Sequence, residues 1–155
     1  MNRILNLLVA AAFLMSAAAC SSAKPPAVAA VKSRNMLAVL RGLDESYEKK
    51  DLPNFMAQVA PLYKGREPLA TSLAAVFNRF DTVALNIQYT RMLITIEEKG
   101  LIRATFNWEG AWSKAGGDMQ KDGGRVTLVF EPAEFKLLAV EGKTPFVPTE
   151  NKGKQ

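Results

Sequence analysis

The chain has 155 residues, with 20 Lys+Arg against 15 Asp+Glu, no histidine and one cysteine. A lone cysteine excludes an intramolecular disulfide. With no histidine beside it, zinc sites built from His and Cys are excluded, and the usual general base at neutral pH is missing. The positive charge is mild and interspersed, Lys49-Lys50 being its only adjacent pair. No basic stripe alternates with aromatics, which argues against a nucleic-acid partner.

Arg3 gives the N-terminus a positive start. Ile4 to Ala19 is apolar apart from Asn6 and Ser16, and Ala17, Ala18 and Ala19 run directly into Cys20. This is the order of a secretory signal, and the run is shorter than the roughly 20 residues a membrane-spanning helix needs. Ala17-Ala18-Ala19-Cys20 resembles the bacterial lipoprotein signal, in which the cysteine receives a diacylglycerol and cleavage falls just before it. It departs from that pattern at Ala17, where leucine is commoner. The resemblance implies a signal peptide over 1–19, lipidation of Cys20 and a protein held at the cell envelope by its lipid. Ser21 and Ser22 replace the aspartate that would favour inner-membrane retention, so it implies the outer membrane, facing the periplasm. The alternatives are a stray cysteine in a discarded signal or a thiol that pairs between chains. Acyl chains contribute ~0.8 kcal/mol per buried CH2, so stable anchoring takes more than one chain, and a fully processed lipoprotein cysteine carries enough. Ser21 to Val31, with two prolines and small residues, reads as a flexible tether. The expected organisation is therefore 20–32 for lipidated cysteine and tether, 33–147 for one domain, and 148–155 for a polar, disordered tail.

Within the domain the first half has helical spacing. Met36, Leu40, Leu43 and Tyr47 share one face of a helix from about Ser33 to Lys49, with Arg41, Asp44, Glu45 and Glu48 between them. Asp51 reads as an N-cap and Pro53 as a first-turn residue of a second short helix. Leu52, Phe55, Met56 and Val59 give that helix its apolar face, and Pro61 ends it. A third helix is expected from Glu67 to Phe80, with Leu69, Leu73, Val76, Phe77 and Phe80 as its stripe.

From Val83 the period becomes two. Val83, Leu85, Ile87 and Tyr89 form one parity, and Met92, Ile94 and Ile96 continue on the other. The slip at Thr90-Arg91 predicts a bulge, or two strands with a sharp bend. After a turn at Glu98-Lys99-Gly100, Ile102, Ala104, Phe106, Trp108, Gly110 and Trp112 form the inner face of a long strand. Ser113 to Gly124 reads as a polar glycine-rich loop, mobile or a lid. Val126 to Phe130 makes a further strand, and Glu131–Glu134 turns into a last one over Phe135–Val140, with apolar residues on both parities. Three helices followed by an antiparallel meander give an α+β fold with helices on one face of the sheet.

The order of elements is similar to that of the nuclear transport factor 2-like superfamily, in particular its SnoaL-like bacterial members. The resemblance spans Ser33 to Phe146. It is carried by Tyr47–Leu52, by the hairpin segment Ile102–Trp112, by Gly124–Phe130 and Phe135–Gly142, and by the closing Pro145-Phe146. It implies a cone: three N-terminal helices on a strongly bent sheet of about four strands, often with a pocket at the wide end. Members include isomerases, dehydratases, cyclases and non-catalytic domains, so function has to be argued from the site.

Chemistry is sparse. No metal site, cofactor site or catalytic set stands out. Asp44, one turn before Tyr47, reads as a solvated helix acid because it lies off the apolar stripe. Asp81 reads as serving the turn into the sheet, and Asn107 and Glu109 as solvent-facing. Tyr47, Tyr63, Tyr89, Trp108 and Trp112 are the candidate ligand-binding residues, set against plain core packing. The leading expectation is a non-catalytic binding or accessory lipoprotein, contacting the membrane through Cys20 and an envelope protein or small apolar ligand through the domain. The alternatives are a small-molecule binder or an isomerase or lyase using a cone pocket, and a protein–protein or homodimerisation module.

Overall fold

A computed structural model describes residues 27–149. The readings of 1–19 as signal, of Cys20 as lipid site and of the last residues from 150 lie outside the described residues. The unit that begins at Lys32 carries the domain and is described by itself. Among the described residues, three helices, α1 (Ala27–Glu48), α2 (Leu52–Ala57) and α3 (Arg66–Arg79), precede five strands. These are β1 (Thr82–Ile87), β2 (Leu93–Ile96), β3 (Ile102–Ser113), β4 (Gln120–Phe130) and β5 (Leu137–Gly142), with a 3-10 turn at Tyr89–Arg91. The α+β architecture is as expected, with five strands rather than about four. Helix α1 starts at Ala27, inside the segment assigned to the tether. Alanine, at 27, 29 and 30, is the strongest helix former.

The stripe Met36, Leu40, Leu43 and Tyr47 is buried, each residue at most 2% exposed. The helix ends in a paired-carbonyl cap: Lys50 N donates to Tyr47 O at 2.9 Å and Asp51 N to Ser46 O at 2.8 Å. Lys50 takes the left-handed conformation this cap needs (φ 55°). That turn sends its amine to the C-terminal end of α3, where Nζ donates to Phe80 O at 3.1 Å and Phe77 O at 3.4 Å. A cation there also complements the negative end of the helix dipole. Asp51 then caps α2, accepting from Asn54 N at 3.1 Å. Helix α2 stops at Ala57, before the expected Val59. Val59 instead bridges to Leu137 in parallel, with Ala60 N donating to Leu137 O at 2.8 Å.

Strand β3 is the spine of the sheet. Its C-terminal half pairs with β1, from Ile87↔Trp108 to Thr82↔Ser113, and its N-terminal half with β2, from Leu93↔Thr105 to Ile96↔Ile102. On its other side it pairs with β4, and β5 lies beyond. The parity slip is therefore the boundary between two strands sharing one partner, and Tyr89 leaves the ladder for the turn. Asp81 serves the entry to the sheet: Ala115 N donates to its Oδ2 at 2.6 Å.

Half of the expected loop 113–124 is strand. Strand β4 begins at Gln120, so the connection is only 114–119. The polar residues of its first half alternate at a solvated sheet end, so they carry no apolar period to read. Gly123 permits close pairing, since a Cβ there would lie 3.1 Å from Trp108 O. Strand β5 starts at Leu137, after Phe135 adopts φ 56°. Phe130 pairs with Leu137 and Val129 with Ala139, so Leu138 is a bulge residue. That accounts for apolar residues on both parities. The start of the expected tail is also held: Pro148 is buried, and Thr149 N donates to Asp122 Oδ2 at 3.0 Å while Gln120 Nε2 donates to Thr149 O at 3.0 Å.

Candidate binding groove

Tyr47, Trp108 and Trp112 lie in the core, at most 1% exposed, and their polar atoms are used by the chain itself. Trp112 Nε1 donates to Tyr47 Oη at 2.7 Å, Tyr47 Oη donates to Phe146 O at 3.0 Å, and Trp108 Nε1 donates to Lys143 O at 3.1 Å. The Tyr47 ring lies 5.7 Å from that of Phe146 and 5.6 Å from that of Phe77, and Phe55 meets Phe146 edge-on at 4.9 Å. Burial pushes the Tyr47 hydroxyl well above the ordinary tyrosine range. These contacts fill the space between α1, α2 and the sheet.

The other two aromatics stand apart from this cluster. Tyr63 lines a smaller cavity of about 270 Å³ with Pro68, Leu69, Ser72, Val140 and Thr144, and burial raises its hydroxyl. Tyr89 sits on the 3-10 turn.

A larger groove of about 610 Å³ crosses three neighbouring strands. The register explains its shape. Ala84, Ala111 and Lys121 form one cross-strand row, and Asn86, Glu109 and Gly123 the next row on the same face. Alanine and glycine leave the floor low, while Asn86, Glu109 and Lys121 supply polar walls. Between the rows, Gly110 faces inward beneath the ring of Trp112. Glu48 closes the β1 side, where its Oε1 accepts from Leu85 N at 3.2 Å and occupies an edge-strand donor. Met119, 57% exposed, stands at another side. Elsewhere on this sheet face Arg103 is paired to both Glu97 and Glu141. Glu109 and Lys121 form no ion pair among the described residues. Asn107 and Glu109 are exposed, as expected. What sequence reading missed is that small residues at adjacent register positions make a depression, which becomes visible only once the pairing is known.

Asp44 corrects an expectation. It is partly buried, and its Oδ1 and the Tyr89 hydroxyl are both shielded from solvent without a hydrogen bond of good geometry. Desolvation, reinforced by Glu48 and opposed by Tyr89, raises its carboxyl to about 6. Burial and the nearby Asp44 raise Tyr89 to about 12. Off-stripe position fails as a guide here because the turn, not the main core, covers this side of α1. The pair does not line the groove. Among the described residues no cluster of three acidic, histidine or cysteine side chains is placed to hold a metal, and no helix is long and apolar enough to cross a membrane.

No family model and no curated protein matches the sequence. Solved structures do match. A nuclear transport factor 2-like superfamily protein from Salmonella enterica serovar Typhimurium superposes with a TM-score of 0.63 at 15% identity, covering 81% of this chain and 99% of that one. The chain has the nuclear transport factor 2-like fold. Aln2 from a Streptomyces species has a TM-score of 0.54 at 16% identity, over 76% of this chain and 90% of that one. ActVI-ORFA from Streptomyces coelicolor has a TM-score of 0.53 at 14% identity, over 68% and 90%. At these identities the likeness speaks for the nuclear transport factor 2-like fold and leaves function to the site.

Proposed function

We propose that this chain is an envelope lipoprotein, anchored through lipid on Cys20, whose nuclear transport factor 2-like domain is a non-catalytic binding module using the groove over β1, β3 and β4. The observation that carries the binding reading is the bonded chain Trp112–Tyr47–Phe146. It fills the interior that a cone-pocket enzyme would need open, and it leaves the sheet groove as the larger concave surface. A volume of about 610 Å³ falls in the range of small-molecule sites. An alanine floor beside unpaired Glu109 and Lys121 suits a compact ligand with an apolar body and an ionic head. The anchor reading is supported by the N-terminal sequence, with its short apolar run ending at the only cysteine.

Metabolic labelling with palmitate and fractionation test the anchor. The wild type is expected to carry label in the membrane fraction, and Cys20→Ser to be unlabelled and released. Label-free wild type, or Cys20→Ser retained on membranes, overturns it. Native mass spectrometry of the domain purified from the periplasm tests the groove. An adduct is expected on the wild type and absent from Ala111→Trp, which fills the floor from the solvent side. A bare wild type, or an adduct that survives in Ala111→Trp, sinks the groove reading.

A further inference from the structure

We propose that Asp44 and Tyr89 form a proton-operated contact, which tightens the hold of α1 on the β1–β2 turn when the surroundings acidify. The geometry is of two shielded oxygens on two different elements. Asp44 Oδ1 comes from the helix and Tyr89 Oη from the 3-10 turn, and neither makes a hydrogen bond of good geometry. Asp44 is only partly buried, but its Oδ1 is shielded from solvent. A buried polar atom left unpaired is costly, and the cost is greatest when the group is charged. The covered state therefore prefers the neutral acid, and a proton on Asp44 favours the covered state in return. The neutral acid also brings a second O–H to the pair, so either oxygen can donate to the other.

The charged and titratable groups that act on the contact are few. Glu48, one turn along α1, disfavours the ionised carboxylate. The Tyr89 hydroxyl favours it and recovers part of the cost of burial, and Arg41, one turn back, acts on the phenol. Burial is the largest influence on Asp44 and places its titration at about 6, within reach of mild acidification. The turn it would secure has few bonds of its own: Arg91 N donates to Gln88 O at 3.1 Å and Met92 N to Tyr89 O at 3.4 Å, with Gln88 N donating to Asn107 O at 3.1 Å on β3. Tyr89 and Met92 pack against the core, while Thr90 and Arg91 are exposed. The Asp44–Tyr89 contact adds to these a tie from α1 to the junction at which one edge of the sheet changes from β1 to β2.

The test is amide hydrogen exchange on the domain, read at Arg91 and Met92 and corrected for intrinsic exchange. Protection at pH 5 is expected to exceed that at pH 7.5 by roughly tenfold, the factor corresponding to one pH unit of linkage. Asp44→Asn, which mimics the uncharged acid, is expected to give protection that no longer depends on pH. Equal protection at both pH values in the wild type overturns the proposal, as does a pH dependence that persists in Asp44→Asn. A carbon NMR titration of Asp44 in the wild type needs no variant to fold. Tyr89→Phe keeps the covering ring and removes the one group beside Asp44 that favours its charge. A midpoint near 6 that moves upward in Tyr89→Phe supports the contact. A midpoint in the ordinary aspartate range, or one indifferent to Tyr89→Phe, overturns it.

Discussion

Gly110 lies on the inward parity of β3, where every other residue from Ile102 to Trp112 is large or closely packed. A Cβ at this position would stand 2.8 Å from Cζ2 and Cζ3 of Trp112. That ring cannot swing aside, because its Nε1 is bonded to Tyr47 and the residue is fully buried. Gly110→Ala is therefore expected to destabilise the domain by about 1–3 kcal/mol through overpacking, read as a lower midpoint in chemical denaturation. An unchanged midpoint would mean that Trp112 has somewhere to go. The sequence alone announced the two tryptophans and the glycine between them as one inward row, which the structure reproduces. It misplaced Asp44, whose off-stripe helix position reads as solvated although the residue is partly buried. A residue's own stripe reports only contacts periodic with the helix, and Tyr89 arrives from outside that period.

At the scale of elements, α1, β3 and the segment after β5 are joined by a relay through one hydroxyl: Trp112 to Tyr47 to Phe146. Tyr47→Phe keeps the ring contacts but leaves the indole N–H without its acceptor and the Phe146 carbonyl without its donor. The expected loss is ~1–3 kcal/mol, with indole Nε1–H exchange of Trp112 much faster than in the wild type. If stability and indole exchange are both unchanged, the relay is dispensable and packing alone joins these elements. Element type was legible here wherever apolar periodicity was strong. The stripe of α1, the alternation of β3 and the parity slip before Met92 all correspond to what the structure contains. The failures have a common cause. The first half of β4, from Gln120 to Arg125, is polar on both faces, and the start of α1 is made of small residues. Neither segment carries an apolar period in its sequence, so backbone pairing and intrinsic propensity decided their structure. The groove was illegible for the same reason, being made of what Ala84, Ala111 and Gly123 lack.

For the molecule as a whole, two carboxylates with opposite displacements pull the dependence of stability on pH in opposite directions. Asp44 is raised from 3.8 to about 6 in the fold. Its contribution is complete below 3.8 and is lost as pH rises toward 6, since the folded state holds the proton more tightly than the unfolded chain. Asp122 is moved the other way. Desolvation alone would raise it, but hydrogen bonds from Lys143, Thr149 and Gly123 hold it at about 2. Its contribution is complete above 3.8 and is lost as pH falls toward 2. The exposed carboxylates Glu45 and Glu134 are lowered by their lysine partners and act in the same sense as Asp122. The opposed slopes place the stability maximum at about pH 4–5, acidic of the more usual neutral plateau, although the net charge of +5 at pH 7 grows as acid is added. Thermal unfolding from about pH 2.5 to about pH 8 is expected to show this maximum. Asp44→Asn is expected to remove the decline on its alkaline side alone, and Asp122→Asn to flatten part of its acid side while lowering the whole curve, because Thr149 loses a charged acceptor. A maximum at neutral pH, or an alkaline limb unaffected by Asp44→Asn, would show that the helix–turn contact does not bind its proton as the fold implies.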